Sequence, residues 1–298
     1  MEKNLYIDAS HPNETRIVLK SDNTIEEYEY EDKNNLNFKN NIYLATISRV
    51  ELSLQAAFVN FGRERHGFLA FNDIQSDYYQ LPSEDKEKIR IAEEKIREEL
   101  KDKPIETSHD NAQSEGQSEN NDDKTDNSQI QTEKYTKKQE YRDKVKSSFG
   151  IKRYKIQEVI KPGQVILIQV IKEERGQKGA ALTSFISLAG KYMVLMPNTP
   201  KGGGISRKIF NSSDRQKIRN ILNEIDIPKN MGVIVRTAGA NKTKNEIEKD
   251  FKNTLKTWEE IKDKALDSNA PSLVYEEGDI IKRTLRDTYD NDTKNVYV

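Results

Sequence analysis

The chain of 298 residues has no cysteine, one tryptophan, four methionines and three histidines. Without cysteine there is no disulfide framework, no thiolate metal site and no thiol nucleophile, so packing alone must hold the fold, as in cytosolic proteins. The histidines, His11, His66 and His109, lie far apart in sequence, which argues against a zinc hydrolase. Hydrophobic residues are also scarce, at 34% with a mean hydropathy of −0.90. A length that suits about two domains of ~100 to 150 residues therefore cannot be core throughout. The longest apolar run, Val165–Ile171, is broken by Gln169 and falls far short of the ~20 residues of a membrane span. The opening MEKNLYIDAS lacks the charged-then-apolar pattern of an export signal. A cytoplasmic protein with no encoded membrane attachment is expected. GxxxxGK[ST], HExxH and GxSxG are all missing, and no Asp/Glu spacing forms a metal site, so no metal or cofactor is expected in this chain.

The net charge of −1 comes from 49 bases against 50 acids and hides an asymmetry. Residues 105–133 carry eight acidic side chains against one base, Lys124, a local charge of −7 that leaves the remainder at +6. A moderately basic body is compatible with a polyanionic partner. The same stretch has no aromatic residue and only Ile105, Ala112 and Ile130 as aliphatics, too little apolar surface to offset ordering, so it is expected to be disordered. Ser83–Lys103 before it has a narrow stripe of Ile89, Ala92, Ile96 and Leu100 on a charged helix. The insert reads as a tolerated passenger in a surface loop or as a partner-binding tether.

The flanks of the insert read as two halves of one β domain. Asn41–Val50, Gln55–Phe61, Arg65–Phe71, Gln164–Lys172 and Gly179–Phe185 are short, rich in Val, Ile, Phe and Tyr, and bounded by turn residues. Five such strands predict a small OB-type barrel, which tolerates a long loop between its third and fourth strands. Downstream, Ser213 is placed to cap a helix with Ile218, Ile221, Leu222 and Ile225 on one face, ended by Pro228. Gly232–Val235 reads as a buried strand, and Thr243 with Glu246 as a capping box opening a long helix that carries Trp258 on its apolar stripe. Leu5–Ile7, Arg16–Leu19, Ile25–Tyr30 and Asn295–Val298 read as further strands.

Three clusters suggest chemistry. Period two in Gln55–Phe61 puts Ala57, Val59 and Phe61 on one face and Phe58 on the other, with Phe68 in the next strand as a candidate neighbour. Two exposed rings there form a stacking platform for single-stranded bases, and ordinary core phenylalanines are the alternative. Lys172–Gly179 reads as a hairpin tip presenting Arg175 and Lys178 to a phosphate backbone, or as a solvated turn. In Val233–Gly239 a strand ends in Arg236-Thr237 followed by small residues, a site suited to a phosphate monoester with Arg207 as a second fork; in the bland reading Arg236, as an arginine after a strand, is a surface ion-pair residue.

The runs NIYLATISRVELSLQAAFVNFGRERHGFL (Asn41–Leu69), KEERGQKGAALTSFISLAGKYMVLMPNTP (Lys172–Pro200), GGISRKI (Gly203–Ile209) and GVIVRTAG (Gly232–Gly239) closely resemble the amino-terminal half of the bacterial ribonuclease E/G family. The resemblance covers nearly the whole chain apart from the insert at 83–148. It implies an endoribonuclease lineage acting on single-stranded, AU-rich RNA with a 5′-monophosphate, in mRNA decay and in rRNA and tRNA processing. The implied fold is α+β: an OB-fold RNA-binding domain at 38–185 interrupted by the disordered insert, a mixed α/β 5′-end sensor at 186–280, and segments of an RNase-H-like domain at 1–37 and 281–298. The implied RNA contacts are Phe58, Phe68 and Lys178. The implied 5′-phosphate contacts are Arg236 and Thr237, with Gly190, Val194 and Arg207 around the terminal nucleotide.

The family's paired metal-binding aspartates and its Cys-Pro-x-Cys zinc link fall beyond Val298. The resemblance thus implies a substrate-recognition half, with Mg²⁺ and structural zinc expected only in a carboxy-terminal part. Single-stranded RNA is the expected partner, with RNA-decay proteins besides, and DNA is not. Two alternatives remain: an endoribonuclease when continued or complemented by a metal-binding nuclease domain, and a decayed inactive fragment.

Overall fold

Segments that alternate apolar and polar side chains can bury one face each, and three groups of such strands organise this α+β chain. The computed structural model describes residues 3–22, 24–32, 37–82, 85–87, 91, 154–174, 178–199, 204–228, 230–289 and 292–298. Met1–Gln80 and Ile156–Val298 form one compact unit, and Leu81–Lys155 a second. In the second unit Asp85–Glu87 and Ile91 are helical, and the Tyr154 hydroxyl donates to Asp85 at 3.0 Å. The remainder of the expected helix at 83–103, and the acidic stretch 105–133, lie outside the described residues.

The chain begins with an antiparallel meander of β1 (Lys3–Asp8), β2 (Glu14–Ser21) and β3 (Thr24–Asp32). The barrel follows, with β4 (Ile42–Glu51), β5 (Ala56–Asn60), β6 (Gly67–Ala70), the one-turn helix α1 (Ile156–Val159), β7 (Val165–Lys172) and β8 (Ala181–Thr183). Its strands run in the order β4-β5-β6-β8-β7, and a β7–β4 ladder closes the ring. All neighbours are antiparallel except β6 and β8. The predicted five-stranded barrel is therefore present and closed. Its interior holds Ala45, Ile47, Ala57, Val59, Leu69, Ile166, Ile168 and Leu182, each no more than 1% exposed.

Two glycines set how closely β6 and β8 approach. A Cβ on Gly67 would stand 2.3 Å from Leu182 Cδ1, and one on Gly179 would stand 2.1 Å from the carbonyl oxygen of His66. The second clash is with backbone and has no flexible way out. Gly179 is thus what lets the chain before β8 lie flat against the start of β6.

Beyond the barrel come β9 (Leu188–Ala189), β10 (Met193–Met196), β11 (Gly204–Ile205), α2 (Ser212–Glu224), β12 (Gly232–Val235) and α3 (Lys244–Asp267). These strands form a second sheet in the order β11-β12-β10-β9. The capping box predicted for α3 is present, with Thr243 and Glu246 bonding reciprocally. Ile247, Phe251, Thr254, Trp258 and Ile261, spaced by three or four residues, are the buried face of α3, and its apolar members pack with Leu188, Met193, Leu195 and Val233. One expectation is corrected at α2. The cap is Asn211, whose side chain accepts from Ser213 N at 3.1 Å, because three good capping residues stand in a row and the helix starts at the second.

Two elements that periodicity does not reveal finish the unit. β13 (Ser272–Tyr275) adds to β4 as a sixth strand on the barrel sheet, and its Val274 joins the α3 core together with Ile42. α4 (Ile280–Asp287) then covers the meander, with Ile280 packed on Leu5, Ile7, Ile17 and Leu19. Glutamates of β3 clamp this helix: Glu31 accepts from Ile280 N at 3.1 Å and pairs with Arg283 at 3.3 Å, while Glu29 accepts from Thr284 at 3.3 Å. β14 (Thr293–Tyr297) returns to pair in parallel with β1, so both ends of the chain meet in one sheet.

Gly179→Ala is expected to destabilise the fold by about 1–3 kcal/mol, since the added methyl must displace backbone. Chemical denaturation measures this directly. An unchanged midpoint contradicts the close approach of β6 and the Lys178-Gly179 segment.

Candidate functional site

The barrel register places Phe58 of β5 directly opposite Phe68 of β6. Both rings are half-buried, whereas their strand neighbours Ala57, Val59 and Leu69 are wholly inside. The ring centroids are 6.1 Å apart at 76°, an edge-to-face pair. Arg49 of β4, also opposite Phe58 in the ladder, sets its guanidinium 4.4 Å from the Phe58 centroid. Such a cation keeps one ring face electrostatically engaged and adds positive charge beside the aromatic pair. The exposed turn between β5 and β6 adds Arg63, stacked 3.7 Å over Phe38, and Arg65, 3.9 Å from Glu174. Lys178 is exposed, and the Gly179 contact with His66 brings it to the start of the strand that carries Phe68. Arg175 lies outside the described residues.

A second cluster gathers at the ends of the second sheet. β11 and β12 run parallel, with Gly204 opposite Ile234 and Ile205 opposite Val235. Ser206 N donates to Val235 O at 2.8 Å, so Arg207 and Arg236 leave neighbouring strands at the same end. Arg207 and Thr237 are exposed, and Val194 of β10 lies across from Ile234. Gly190 sits in the turn before β10. A Cβ there would be 2.5 Å from Asp250 Oδ2, and the Asp250 carboxylate accepts from Lys191 N, Tyr192 N and Met193 N at 3.1, 2.9 and 3.2 Å. The turn is fixed by α3, and only glycine leaves space for the carboxylate that fixes it.

Arg236 is held from one side. Its Nη1 donates to the carbonyl of Gly190 at 2.8 Å and to Asp287 Oδ1 at 2.5 Å, and its backbone N–H donates to Tyr192 O at 2.8 Å. Nε and Nη2 have no partner among the described residues. A guanidinium held this way has its free edge fixed in direction, the geometry that binds two oxygens of one anion in parallel.

Asp287 is in turn oriented by Arg286, whose Nε and Nη2 reach it at 3.0 and 2.9 Å, while Arg286 Nη1 bonds Glu277 at 2.8 Å. Partial burial alone pushes the Asp287 carboxyl up, but the bonds from Arg286 and Arg236 outweigh it and hold the group below the usual carboxylate range. Burial likewise opposes the charge on Arg286, and its bonds to Asp287 and Glu277 more than offset that, raising its pKa. Two adjoining cavities open here. One of about 220 Å³ is lined by Gly190, Lys191, Asp250 and Arg286, the other of about 160 Å³ by Val194 and Glu277, and they share Leu188, Ala189 and Tyr275.

The structure thus brings Phe58, Phe68 and Lys178 to one part of the barrel, and Arg236, Thr237, Gly190, Val194 and Arg207 to neighbouring strand ends and turns of the second sheet. Sequence reasoning missed Arg49, Asp250, Asp287, Arg286 and Glu277. Arg49 had a local signal, since it precedes the Phe58 strand in a hairpin; Asp250 lies 57 or more residues from the backbone groups it accepts and Asp287 lies 51 from Arg236, while Arg286 and Glu277 act only through Asp287, so none of these has a local signal. Among the described residues no three His, Asp or Glu side chains converge as metal ligands, so no set here fits Mg²⁺ or zinc. No helix of the described residues is long and apolar enough to cross a membrane.

Comparison with known proteins places these motifs in a lineage. The profile of the Ribonuclease E/G family matches residues 187–298. The chain is 33% identical to Ribonuclease E of Haemophilus influenzae over 296 residues, which are 99% of this chain and 25% of that protein. With Ribonuclease E of Escherichia coli K12 it shares 33% over the same 99% of its length, covering 22% of that protein. With Ribonuclease E of Synechocystis sp. the identity is 38% over 48% of this chain and 21% of the relative. The chain therefore spans about a quarter or less of the length of these relatives. An identity of one third over 99% of the chain, with the family profile over residues 187–298, makes this chain a member of the ribonuclease E/G family.

Proposed function

We propose that the chain binds single-stranded RNA and reads its 5′-monophosphate, as the substrate-recognition part of a ribonuclease E/G-type endoribonuclease in RNA processing and decay. The observation that carries this reading is Arg236, anchored through Nη1 with its Nε and Nη2 edge turned free. A terminal phosphate presents more unshared oxygens to that edge than an internal phosphodiester, and a 5′-hydroxyl presents no anion at all. Thr237 adds a hydroxyl beside it, and Arg207 a second cation from the neighbouring strand end.

In this reading 38–185 is the RNA-binding barrel, 186–280 the end sensor, and 1–37 with 281–298 the RNase-H-like segments. The Phe58–Phe68 pair stacks successive bases, with Arg49 and Lys178 drawing in the phosphate backbone. The proposed setting is the cytoplasm, with RNA-decay proteins as further partners. Strand cleavage, with its Mg²⁺, is assigned to the part of the relatives' length that this chain does not span. Ribonuclease E of Haemophilus influenzae and of Escherichia coli K12 is roughly four times as long as this chain.

Phe58→Ala and Phe68→Ala are each expected to weaken binding of an unstructured oligoribonucleotide by about 1–3 kcal/mol, the value of one stacked base. Fluorescence anisotropy of the folded variants reads this, and unchanged affinity in both removes the platform. For the end sensor, Arg236→Lys and Thr237→Val are expected to erase most of the preference for 5′-monophosphorylated over 5′-hydroxyl oligonucleotides a few bases long, with hydroxyl-ended RNA bound as before. Asp287→Ala tests the anchoring separately. Removing a carboxylate near a phosphate strengthens anion binding by charge alone, so a loss of end preference shows that Asp287 orients the fork, and a gain shows that it merely competes.

A further inference from the structure

The most exposed aromatic side chain among the described residues is Phe210, at 82%. Its exposure has a local cause. Phe210 precedes Asn211, the cap of α2, and in that position an apolar residue ordinarily packs on the fourth residue of the helix. That residue is Arg215, and its Nη1 is committed to the carbonyls of Ser206 and Ile209, at 3.2 and 3.1 Å, so no apolar partner covers the ring.

The loop that carries Phe210 is ordered from below. Ser206 N bonds Val235 O, Ile209 N closes a turn onto Ser206 O at 3.2 Å, and the Ile209 side chain is buried with Val235, Ile218 and Ala240. Phe210 therefore stands one residue beyond a side chain that packs on both flanks of the Arg236–Gly239 turn. Arg207 and Lys208, in the same loop, are both exposed. A bare aromatic ring beside two cations, next to a fork set for a terminal phosphate, is the pairing of stacking face and positive charge that single-stranded nucleic acids bind.

We infer that Phe210 is the stacking face for the base of the nucleotide whose 5′-phosphate meets Arg236 and Arg207, with Lys208 holding the following phosphate. This rests on the 5′-phosphate reading above and adds to it a base-binding subsite. Stacking accepts any of the four bases, so the subsite demands that a base be present without specifying which.

The test uses the full chain and three short oligoribonucleotides of one sequence: 5′-monophosphorylated, 5′-hydroxyl, and 5′-monophosphorylated with an abasic first position. Phe210→Ala is expected to weaken the monophosphorylated ligand about 5- to 150-fold and to leave the abasic ligand unaffected, while Phe210→Tyr retains affinity. Phe210→Trp gives a second readout, because the native Trp258 is buried at 9% exposure and the new indole alone should be quenched by the first base. Equal losses on the intact and abasic ligands mean the ring supports the loop and overturn the inference. So does an unchanged affinity in Phe210→Ala while the wild type keeps its phosphate preference, and that result leaves the Arg236 reading standing. Equal wild-type binding of phosphorylated and hydroxyl ends defeats the Arg236 reading, and the subsite with it.

Discussion

The hydrogen bonds at Arg236 Nη1 tie the second sheet to the end of α4, and the geometry of the candidate phosphate site depends on them. One is donated to the carbonyl of Gly190, which Asp250 on α3 holds in place by accepting three successive backbone N–H groups. The other is donated to Asp287 at the end of α4, a helix that is itself packed on β1 and β2 and clamped by glutamates of β3. Half-exposed ion pairs contribute little to stability, on the order of 0–1 kcal/mol. The value of this one is directional: it decides which edge of the guanidinium faces outward.

The barrel works by a different constraint. Closure of five strands around Val59, Leu69 and Ile168 leaves alternate residues no choice of face, and this brings Phe58 and Phe68 side by side on the half-exposed one. Close approach at Gly67 and Gly179 then delivers Lys178 to the same strand end. Proposed base stacking on the barrel and proposed phosphate reading at Arg236 thus use separate physics, dispersion and contact on one side, charge and fixed hydrogen-bond direction on the other.

How much of this was readable beforehand follows from how local each determinant is. The barrel strands, the α3 capping box, the buried stripe through Trp258 and the face of Phe58 are consequences of period or of spacing within four residues, and all are present as read. The α2 cap was displaced by two residues because Asn211, Ser212 and Ser213 are near-equivalent caps. β9, β11 and β13 have two to four residues and exist only through their partners, so no periodic signal marks them. The anchors of Arg236 escaped for the same reason. Gly190 was expected beside the terminal nucleotide, but that its carbonyl holds the guanidinium, and that Asp287 does so from 51 residues away, are facts of tertiary contact.

The most direct measurement of the central claim is the arginine side-chain ¹H–¹⁵N spectrum, assigned by comparison with Arg236→Lys, on adding a 5′-phosphorylated dinucleotide and its dephosphorylated counterpart. The anchored-fork account predicts that the Arg236 Nε–H resonance moves strongly with the phosphorylated ligand and stays in place with the other. An Arg236 signal that is indifferent to the phosphate, while arginines of the barrel respond to both ligands alike, contradicts it.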